Sequence, residues 1–320
     1  MKITRLVLEN WKNFRTVDIT LGGRSFFVGP NASGKSNLLD SFRFMADLVK
    51  RGGGLQRALS DRGGLQKIRC LAARATPSVV LEFELERSGD TPTTWKYRLV
   101  LKQERSGAKR NIVAQEQVWE KGKLILDRPN AEDRRDDLRL TQTSLEQISA
   151  NGEFRAVYDF FGSFRYLHIV PQVIKTPEVF SNARTTVDDD VYGIKFLEQV
   201  ARTTPKVRAS RLARIQKALR IAVPQLGDLQ NSTDETGTPH LEVRLEHWRP
   251  NAGRQQENQL SDGTLRLIGI LWAILESKEL IMLEEPELSL HPGIVSRLAP
   301  LMYRVNRTKK ETSQILVSTH

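Results

Sequence analysis

The residues with the clearest chemical potential form a glycine-rich segment near the N-terminus. Residues 29–36 match the pattern G-x-x-x-x-G-K-S/T, in which glycines let backbone N–H groups turn inward around an anion and a lysine adds a mobile positive charge. The hydroxyl that ends the pattern is a ligand for Mg²⁺. The candidate phosphate-binding residues are Gly29, Pro30, Asn31, Ala32, Ser33, Gly34, Lys35, Ser36 and Asn37, and Ser36 is also a candidate metal ligand.

The flanking sequence predicts the two elements that such a loop needs. Residues 24–28 have the pattern of a short buried strand, and residues 37–45 have that of a helix with one apolar face. The positive end of the helix dipole would then face the bound phosphate. The alternative is a chance match in a loop rich in glycine and serine, and the two flanking elements argue against it.

Two carboxylates at the end of an apolar strand form a second candidate cluster. Residues 279–287 contain an apolar run followed by Glu284 and Glu285, which predicts a parallel strand that delivers both acids at its carboxyl edge, where ligands bind in open α/β sheets. One carboxylate can hold the water shell of Mg²⁺, and the next can polarise a water that attacks a phosphate. Residues 315–319 predict another buried strand, with His320 at the same edge.

The order of these segments resembles that of the ABC-type ATPases. The phosphate loop is followed by a long insertion, then by L-S-D-G-T at 260–264, L-E-E-P-E-L-S-L-H-P at 283–292 and S-T-H at 318–320. The chain is more closely similar to the RecF/SMC/OLD-like branch, often labelled "AAA family ATPase" or AAA15, which opens much as residues 8–14 do here. The resemblance implies an α/β fold: an ABC-type P-loop NTPase head with a mixed central sheet, an antiparallel β subdomain and a compact helical insertion.

The resemblance implies a role for each residue of the two candidate clusters. Lys35 and the loop amides would bind the β- and γ-phosphates of ATP, and Ser36 would ligate Mg²⁺. Glu284 would be the Walker B acid, and Glu285 would be the catalytic glutamate. His320 would be the switch histidine that senses the γ-phosphate.

The resemblance also implies roles for residues outside these clusters. Ser261 and Gly263 would form the signature that contacts the γ-phosphate of ATP held by a second protomer. Gln172, expected at a strand end, looks like the glutamine that ligates the metal, and Asn13 would lie near the nucleotide.

The chain departs from the family pattern in several places. Glu284 replaces the commoner aspartate, so its carboxylate reaches one methylene further and hydrolysis is expected to be slow. His291 stands where transporters have an aspartate, although L-S-L-H-P at 288–292 is usual in the RecF/SMC/OLD-like branch. The stretch from Gln172 to Ser261 is too short for a long coiled coil, hence the compact insertion. Domains of this kind continue beyond the switch histidine, so we expect the sequence to be part of a longer chain.

The motifs divide the sequence into three predicted segments. Residues 1–172 would form an N-terminal lobe that contains an antiparallel meander at 79–126. Residues 173–255 would form the helical insertion and a β segment, and residues 256–320 would form a C-terminal lobe, incomplete at its C-terminus.

Local periodicity predicts further elements. Residues 3–21 alternate as two antiparallel strands, which with residues 25–28 would start a mixed sheet. A helix is expected around 143–162, and two helices are expected at 194–222. The three aspartates at 188–190 are expected to cap a helix N-terminus rather than to bind a metal.

Composition bears on the compartment and on partners. The single cysteine, Cys70, allows no internal disulfide and fits a reducing cytosol. No apolar run approaches the ~20 residues of a membrane span, and the start has no signal-peptide pattern, so we expect a cytoplasmic protein without a membrane partner.

The net charge of +11 has two interpretations, a DNA or RNA partner or a basic surface dispersed over the fold. One group of cations recurs mostly every three residues, as on a helix: Lys206, Arg208, Arg211, Arg214, Lys217 and Arg220.

Two functions remain open from the sequence. The first is an ATPase that forms a homodimer or a higher homo-oligomer through ATP. The resemblance places it in DNA transactions, such as repair, or in anti-phage defence, with a separate nuclease or toxin as effector. The second is a nucleotide-gated scaffold or sensor with negligible turnover. A DNA-binding protein without ATPase activity is a third and weaker alternative.

Overall fold

The computed structural model describes residues 1–73, 78–87, 92–104, 108–180, 190–246 and 253–320. It divides the chain into two units, Met1–Phe164 together with His320, and Arg165–Thr319. The division into three segments with limits at residues 172 and 255 stays a prediction. Within the described ranges, none of the helices is both long enough and apolar enough to cross a membrane.

The first unit is built on an antiparallel sheet. Its elements are β1 (Lys2–Trp11), β2 (Phe14–Thr20), β3 (Arg24–Val28), α1 (Lys35–Val49), α2 (Leu55–Ser60), α3 (Leu65–Ile68), β4 (Val79–Arg87), β5 (Thr93–Gln103), β6 (Asn111–Glu120), β7 (Lys123–Arg128), α4 (Ala131–Arg135) and α5 (Arg155–Gly162). Six strands form the sheet in the order β2-β1-β4-β5-β6-β7, with every neighbour antiparallel. The predicted hairpin and the predicted meander are both confirmed, but as parts of one sheet.

The expectation that the hairpin joins residues 25–28 in a sheet is wrong. Strand β1 pairs with β2 and with β4, and β3 is not among the six strands of this sheet. The alternating apolar residues bury one face of the sheet. The ring of Phe83 there meets Phe42 of α1 and Phe161 of α5 edge to face, which holds the helix after the phosphate loop against the sheet.

The helix predicted for 143–162 is shorter than expected, because α5 begins only at residue 155. Before it, the buried carboxylate of Glu116 accepts hydrogen bonds from the backbone N–H groups of Ser144 (2.7 Å) and Leu145 (3.0 Å). Side chains that bind backbone N–H groups compete with helical hydrogen bonds. A long-range contact therefore overrides the local helix pattern.

The second unit combines a parallel sheet with a helical and β insertion. Its elements are β8 (Arg165–Leu167), α6 (Pro171–Lys175), α7 (Pro177–Phe180), α8 (Phe196–Arg202), α9 (Pro205–Leu219), β9 (Leu226–Thr233), β10 (Pro239–Leu245), β11 (Gln255–Gln256), α10 (Asp262–Glu276), β12 (Leu280–Glu284), α11 (Pro292–Arg307) and β13 (Gln314–Thr319). Strands β13, β12 and β8 lie side by side and run parallel. Strands β11, β10 and β9 form a small antiparallel sheet.

Several predictions for the second unit are confirmed. The two helices of the insertion are α8 and α9, and Pro205 opens α9 at a position where its missing N–H costs nothing. Asp190 accepts hydrogen bonds from the N–H groups of Gly193, Ile194 and Lys195 just before α8, so it caps that turn as expected. The neighbouring aspartates at 188 and 189 and the meander connectors at 88–90 and 106–107 lie outside the described residues.

A buried charge network around Glu116 stabilises the first unit. Glu116 also accepts a hydrogen bond from the hydroxyl of Tyr97 (2.9 Å) and pairs with Arg128 (3.1 Å), and Arg128 pairs in turn with Asp133 (2.8 Å). Burial, followed by the charge of Glu116, raises the pKa of Tyr97. The carboxylate therefore compensates groups that water cannot reach.

We expect Glu116→Ala to lower the free energy of unfolding by about 3–5 kcal/mol, because it leaves a buried arginine and two N–H groups under-compensated. Urea unfolding followed by tryptophan fluorescence measures the loss. The exposed residue Glu86 offers a matched control, and Glu86→Ala should change stability by no more than about 0.5 kcal/mol. Equal effects of the two substitutions would contradict the role of the network.

Candidate functional site

The lysine of the phosphate loop forms hydrogen bonds with the backbone of the same loop. The ammonium of Lys35 donates hydrogen bonds to the carbonyl oxygens of Gly29 (2.6 Å) and Pro30 (3.0 Å). Ala32 and Gly34 have positive φ angles of 63° and 103°, which curl the backbone around this lysine. The charge of Lys35 thus rests on neutral carbonyl oxygens, which a phosphate group could replace.

Helix α1 begins at Lys35 in the way that an anion site requires. Its N-cap residue is Gly34, no side chain caps the first turn, and the first turn contains no acidic residue. The N-terminal N–H groups therefore meet no side-chain cap or local carboxylate, and the helix dipole favours a negative charge there. These features fit the phosphates of a nucleotide.

The turn between β1 and β2 holds the loop from outside. Asn13 donates a hydrogen bond from Nδ2 to the carbonyl oxygen of Ser33 (3.3 Å) and accepts one from Nδ2 of Asn37 (2.9 Å). Trp11 donates from Nε1 to the carbonyl oxygen of Asn37 (2.7 Å). A Cβ atom at Gly34 would lie 2.3 Å from the side chain of Asn13, so the contact requires glycine. The structure places Asn13 beside the loop, while Trp11 was not predicted because nothing local marks it.

The two predicted carboxylates lie at the carboxyl edge of β12. Glu284 ends the strand, and the hydroxyl of Tyr166 on the adjacent strand β8 donates a hydrogen bond to its carboxylate. Glu285 follows with a positive φ of 44°, and its N–H donates to the carbonyl oxygen of Ser318 in β13 (2.9 Å). His320 follows β13 directly, as predicted. Tyr166 was missed, because its contact with Glu284 depends on strand pairing.

A buried arginine contacts the backbone of the second carboxylate residue. Arg266 of α10 donates a hydrogen bond to the backbone carbonyl oxygen of Glu285 (3.3 Å). Burial lowers the pKa of Arg266, and the carboxylates of Asp262, Glu287 and Glu285 act in the opposite direction. The arginine therefore fixes the backbone of Glu285 and adds positive charge near the acidic edge.

The predicted signature residues open α10. Ser261 is the N-cap residue, and its hydroxyl oxygen accepts a hydrogen bond from the N–H of Thr264 (3.2 Å). A Cβ atom at Gly263 would lie 2.9 Å from the carbonyl oxygen of Ser289, so the segment after Glu285 approaches the signature closely. His291 of that segment caps α11 by accepting a hydrogen bond from the N–H of Gly293 (3.1 Å).

Gln172 lies away from the strand end where it was expected. Strand β8 ends at Leu167, and Gln172 belongs to α6. Its side chain donates a hydrogen bond to the carboxylate of Asp262 (2.5 Å), which also pairs with Lys175 (2.6 Å). Sequence reasoning did not find Lys175, and its distance from Asp262 along the chain gives no local signal.

The second unit thus contains two groups of predicted residues. Glu284 and Glu285 lie together at the acidic edge, and Gln172 contacts Asp262 of the signature. The first unit brings together the phosphate loop, Asn13 and Asn37. In the part of the chain that the structure describes, no group of three or more His, Cys, Asp or Glu side chains could hold a metal ion. A Mg²⁺ ion of the predicted kind needs fewer protein ligands, because phosphate oxygens and water complete its shell.

Comparisons with known proteins give the family of the chain. A family model described as "AAA domain, putative AbiEii toxin, Type IV TA system" matches residues 25–320. A sequence search of curated proteins gives no match.

Solved structures add the fold. An SMC head bound to the C-terminal winged-helix domain of ScpA is similar with a TM-score of 0.53 and 14% identity, covering 100% of this chain and 90% of that one. An Smc head with an extended coiled coil, bound to the C-terminal domain of ScpA derived from Pyrococcus furiosus, is similar with a TM-score of 0.50 and 11% identity, with the same coverage. The predicted ABC-type P-loop NTPase fold is therefore confirmed.

We expect Asn13→Ala to weaken nucleotide binding about tenfold, because the phosphate loop loses two hydrogen bonds worth together about 1–2 kcal/mol. Titration with a fluorescent ATP analogue measures the affinity. Asn130→Ala is the matched control, since it also removes two hydrogen bonds, at the start of α4. An unchanged affinity in Asn13→Ala, or an equal loss in the control, would contradict the supporting role of Asn13.

Proposed function

Because the chain belongs to this family of AAA-domain proteins and is an ABC-type P-loop ATPase by family and fold, we propose that it binds and hydrolyses ATP and assembles through ATP held between protomers. The observation that carries the proposal is the phosphate loop. Its lysine rests on neutral carbonyl oxygens, and the helix behind it starts without a cap or a carboxylate.

The chain's own residues supply binding and proton chemistry. Lys35 and the loop N–H groups bind the β- and γ-phosphates, while Ser36 and Glu284 would hold Mg²⁺, which neutralises phosphate charge when bound. Glu285 orients and polarises the attacking water, and His320 senses the γ-phosphate. Gln172 joins the metal ligands only by exchanging its hydrogen bond with Asp262.

Assembly follows from the position of the signature. Ser261 and Gly263 stand at the start of α10, where the helix dipole favours an anion while Lys175 compensates the charge of Asp262. In this proposal the anion is the γ-phosphate of ATP bound by a second copy of the chain. The ATP site is complete only when two protomers meet, and hydrolysis releases them.

A partner protein is the second part of the proposal. The description of the matching family names a toxin of a toxin–antitoxin system, and the two similar SMC heads are bound to ScpA. We infer that the ATPase controls a separate effector, a nuclease or a toxin, or else a DNA transaction. The biological setting would be anti-phage defence, as for AAA15 proteins, or DNA repair.

Two substitutions test the ATPase. Lys35→Ala should abolish ATP binding, because it removes the mobile charge of the loop. Glu285→Gln should bind ATP, stall hydrolysis and accumulate the dimer. Nucleotide titration, phosphate release and light scattering measure these three properties.

Controls for these variants are available in exposed positions. Lys67→Ala and Glu86→Gln change the same residue types in the first unit and should leave binding and turnover unchanged. Turnover that survives in both Lys35→Ala and Glu285→Gln would refute the site assignment.

A specific contact favours a second candidate function, a nucleotide-gated scaffold with negligible turnover. The hydroxyl of Tyr166 engages Glu284, a glutamate where aspartate is commoner, and both features work against rapid metal-assisted hydrolysis. Assembly in a non-hydrolysable ATP analogue together with near-zero phosphate release would favour the scaffold. Turnover coupled to disassembly would favour the ATPase.

The ion pair between Lys175 and Asp262 should matter for assembly. Asp262 stands between the two signature residues, so an uncompensated carboxylate there would repel the incoming γ-phosphate. We expect Lys175→Ala to weaken ATP-driven dimerisation of the Glu285→Gln protein about tenfold, equivalent to about 1.4 kcal/mol. Adding Asp262→Asn should restore it, because the repelling charge is gone. Sedimentation in ATP measures the dimer.

Lys195→Ala is the control for this pair, since it breaks the ion pair of Lys195 with Glu198 (2.8 Å) in the same unit. It should leave dimerisation unchanged. Failure of Asp262→Asn to rescue Lys175→Ala would show that Lys175 acts in another way than by charge compensation.

A further inference from the structure

A basic groove on the second unit takes no part in the proposed ATPase. It encloses about 610 Å³ between α9, the C-terminal end of α10 with the turn after it, and the loop between α11 and β13. The cations that line this basic groove come from all three segments: Lys206, Arg211, Arg214, Lys278, Lys309 and Lys310.

Helix α9 supplies one wall and is strongly cationic. Residues 205–219 contain five lysines and arginines and no acidic residue. Only an apolar stripe of Leu212, Ile215 and Leu219 is buried, so packing on the unit accounts for the stripe but not for the charge. This is the cation cluster that the sequence singled out.

The acidic residues of the basic groove do not balance its cations. Glu276, Glu279 and Glu311 line it, against the six cations named above. Glu276 is already paired with Arg165 (3.1 Å), which does not line the groove, as well as with Arg211 (3.4 Å). The groove therefore has an excess of positive charge that an anionic partner would compensate.

Lys309 is a partly buried cation of this groove. Its ammonium donates hydrogen bonds to the carbonyl oxygens of Ile274 and Ser277 and to the hydroxyl of Ser313, all of them neutral. Burial first, and then the charge of Arg211, lowers the pKa of Lys309 to about 8. The carboxylates of Glu279 and Glu311 act in the opposite direction but do not outweigh these two effects.

The residues that line the groove also indicate which part of a nucleic acid they would contact. No aromatic side chain is among the described residues that line the groove, and the nearby Trp272 is buried beneath the guanidinium of Arg211, 5.1 Å from the ring centroid. Unstacked bases would find no aromatic platform. Contacts of lysine and arginine with phosphates position a nucleic acid without reading its sequence.

We propose that the basic groove binds the sugar-phosphate backbone of a double-stranded nucleic acid, independently of sequence. A duplex is the better fit because it presents one charge per ~1.7 Å of axis, and because a single strand gains nothing from stacking here. The groove lies within one unit and its binding needs no nucleotide. The proposal therefore stands or falls separately from the proposed ATPase.

Fluorescence anisotropy with labelled duplex DNA, duplex RNA and single-stranded DNA, without ATP, tests the proposal. The exposed lysines Lys206, Lys278 and Lys310 can be changed together to glutamine. The wild-type chain should bind either duplex more tightly than the single strand, and two unrelated duplex sequences equally. The triple variant should lose affinity, and its dependence of log K on log salt should be less steep by up to about 2.7, about 0.9 per lost contact.

A second triple variant separates the groove from the general charge of the chain. Lys121, Lys123 and Arg135 are exposed on the first unit, and changing them to glutamine removes the same charge. Retained affinity in this control, with loss in the groove variant, supports the proposal. Equal losses would show a general field of the +11 chain, and absence of wild-type binding at about 50 mM salt would leave the groove to an acidic protein; either result overturns the proposal.

Discussion

The contact between Gly34 and Asn13 is the constraint on which the phosphate loop depends. A side chain at position 34 would collide with Asn13, and the positive φ there already favours glycine. The turn between β1 and β2 can therefore approach the loop closely, and Asn13 forms hydrogen bonds with Ser33 and Asn37. A loop backbone fixed in this way needs little reorganisation when phosphate arrives, and the main change is that Lys35 exchanges the carbonyl oxygens of Gly29 and Pro30 for phosphate oxygens.

Charged groups with little exposure differ in what holds them, either opposite charges or neutral oxygen atoms. Arg128 is paired with Glu116 and Asp133. For Asp40, burial acts to raise the pKa, but hydrogen bonds and charges from Arg62 and Lys12 outweigh burial and lower it. Lys35 and Lys309 are different, because the hydrogen bonds that hold them end on neutral oxygen atoms. We infer that a phosphate binds at Lys35, and that Lys309 adds its charge to the basic groove.

Helix α10 connects the functional parts of the second unit. Its 15 residues begin at the signature and end beside the basic groove, a distance of about 22 Å at 1.5 Å per residue. Between these ends it carries Arg266, which holds the backbone of Glu285, and most of its residues are buried. Because the helix is continuous, it sets the separation between its two ends.

The sequence alone determined the phosphate loop, the strand that ends in Glu284 and Glu285, and the class of fold, because these depend on glycine spacing and on apolar runs that are local. Only the tertiary structure decided that β1 lies between β2 and β4, that Glu116 shortens the helix before α5, and that Gln172 contacts Asp262. The partners Tyr166 and Lys175, like the basic groove, also appeared only there. Each joins residues far apart along the chain, and local periodicity contains no information about such pairs because packing and strand register bring them together.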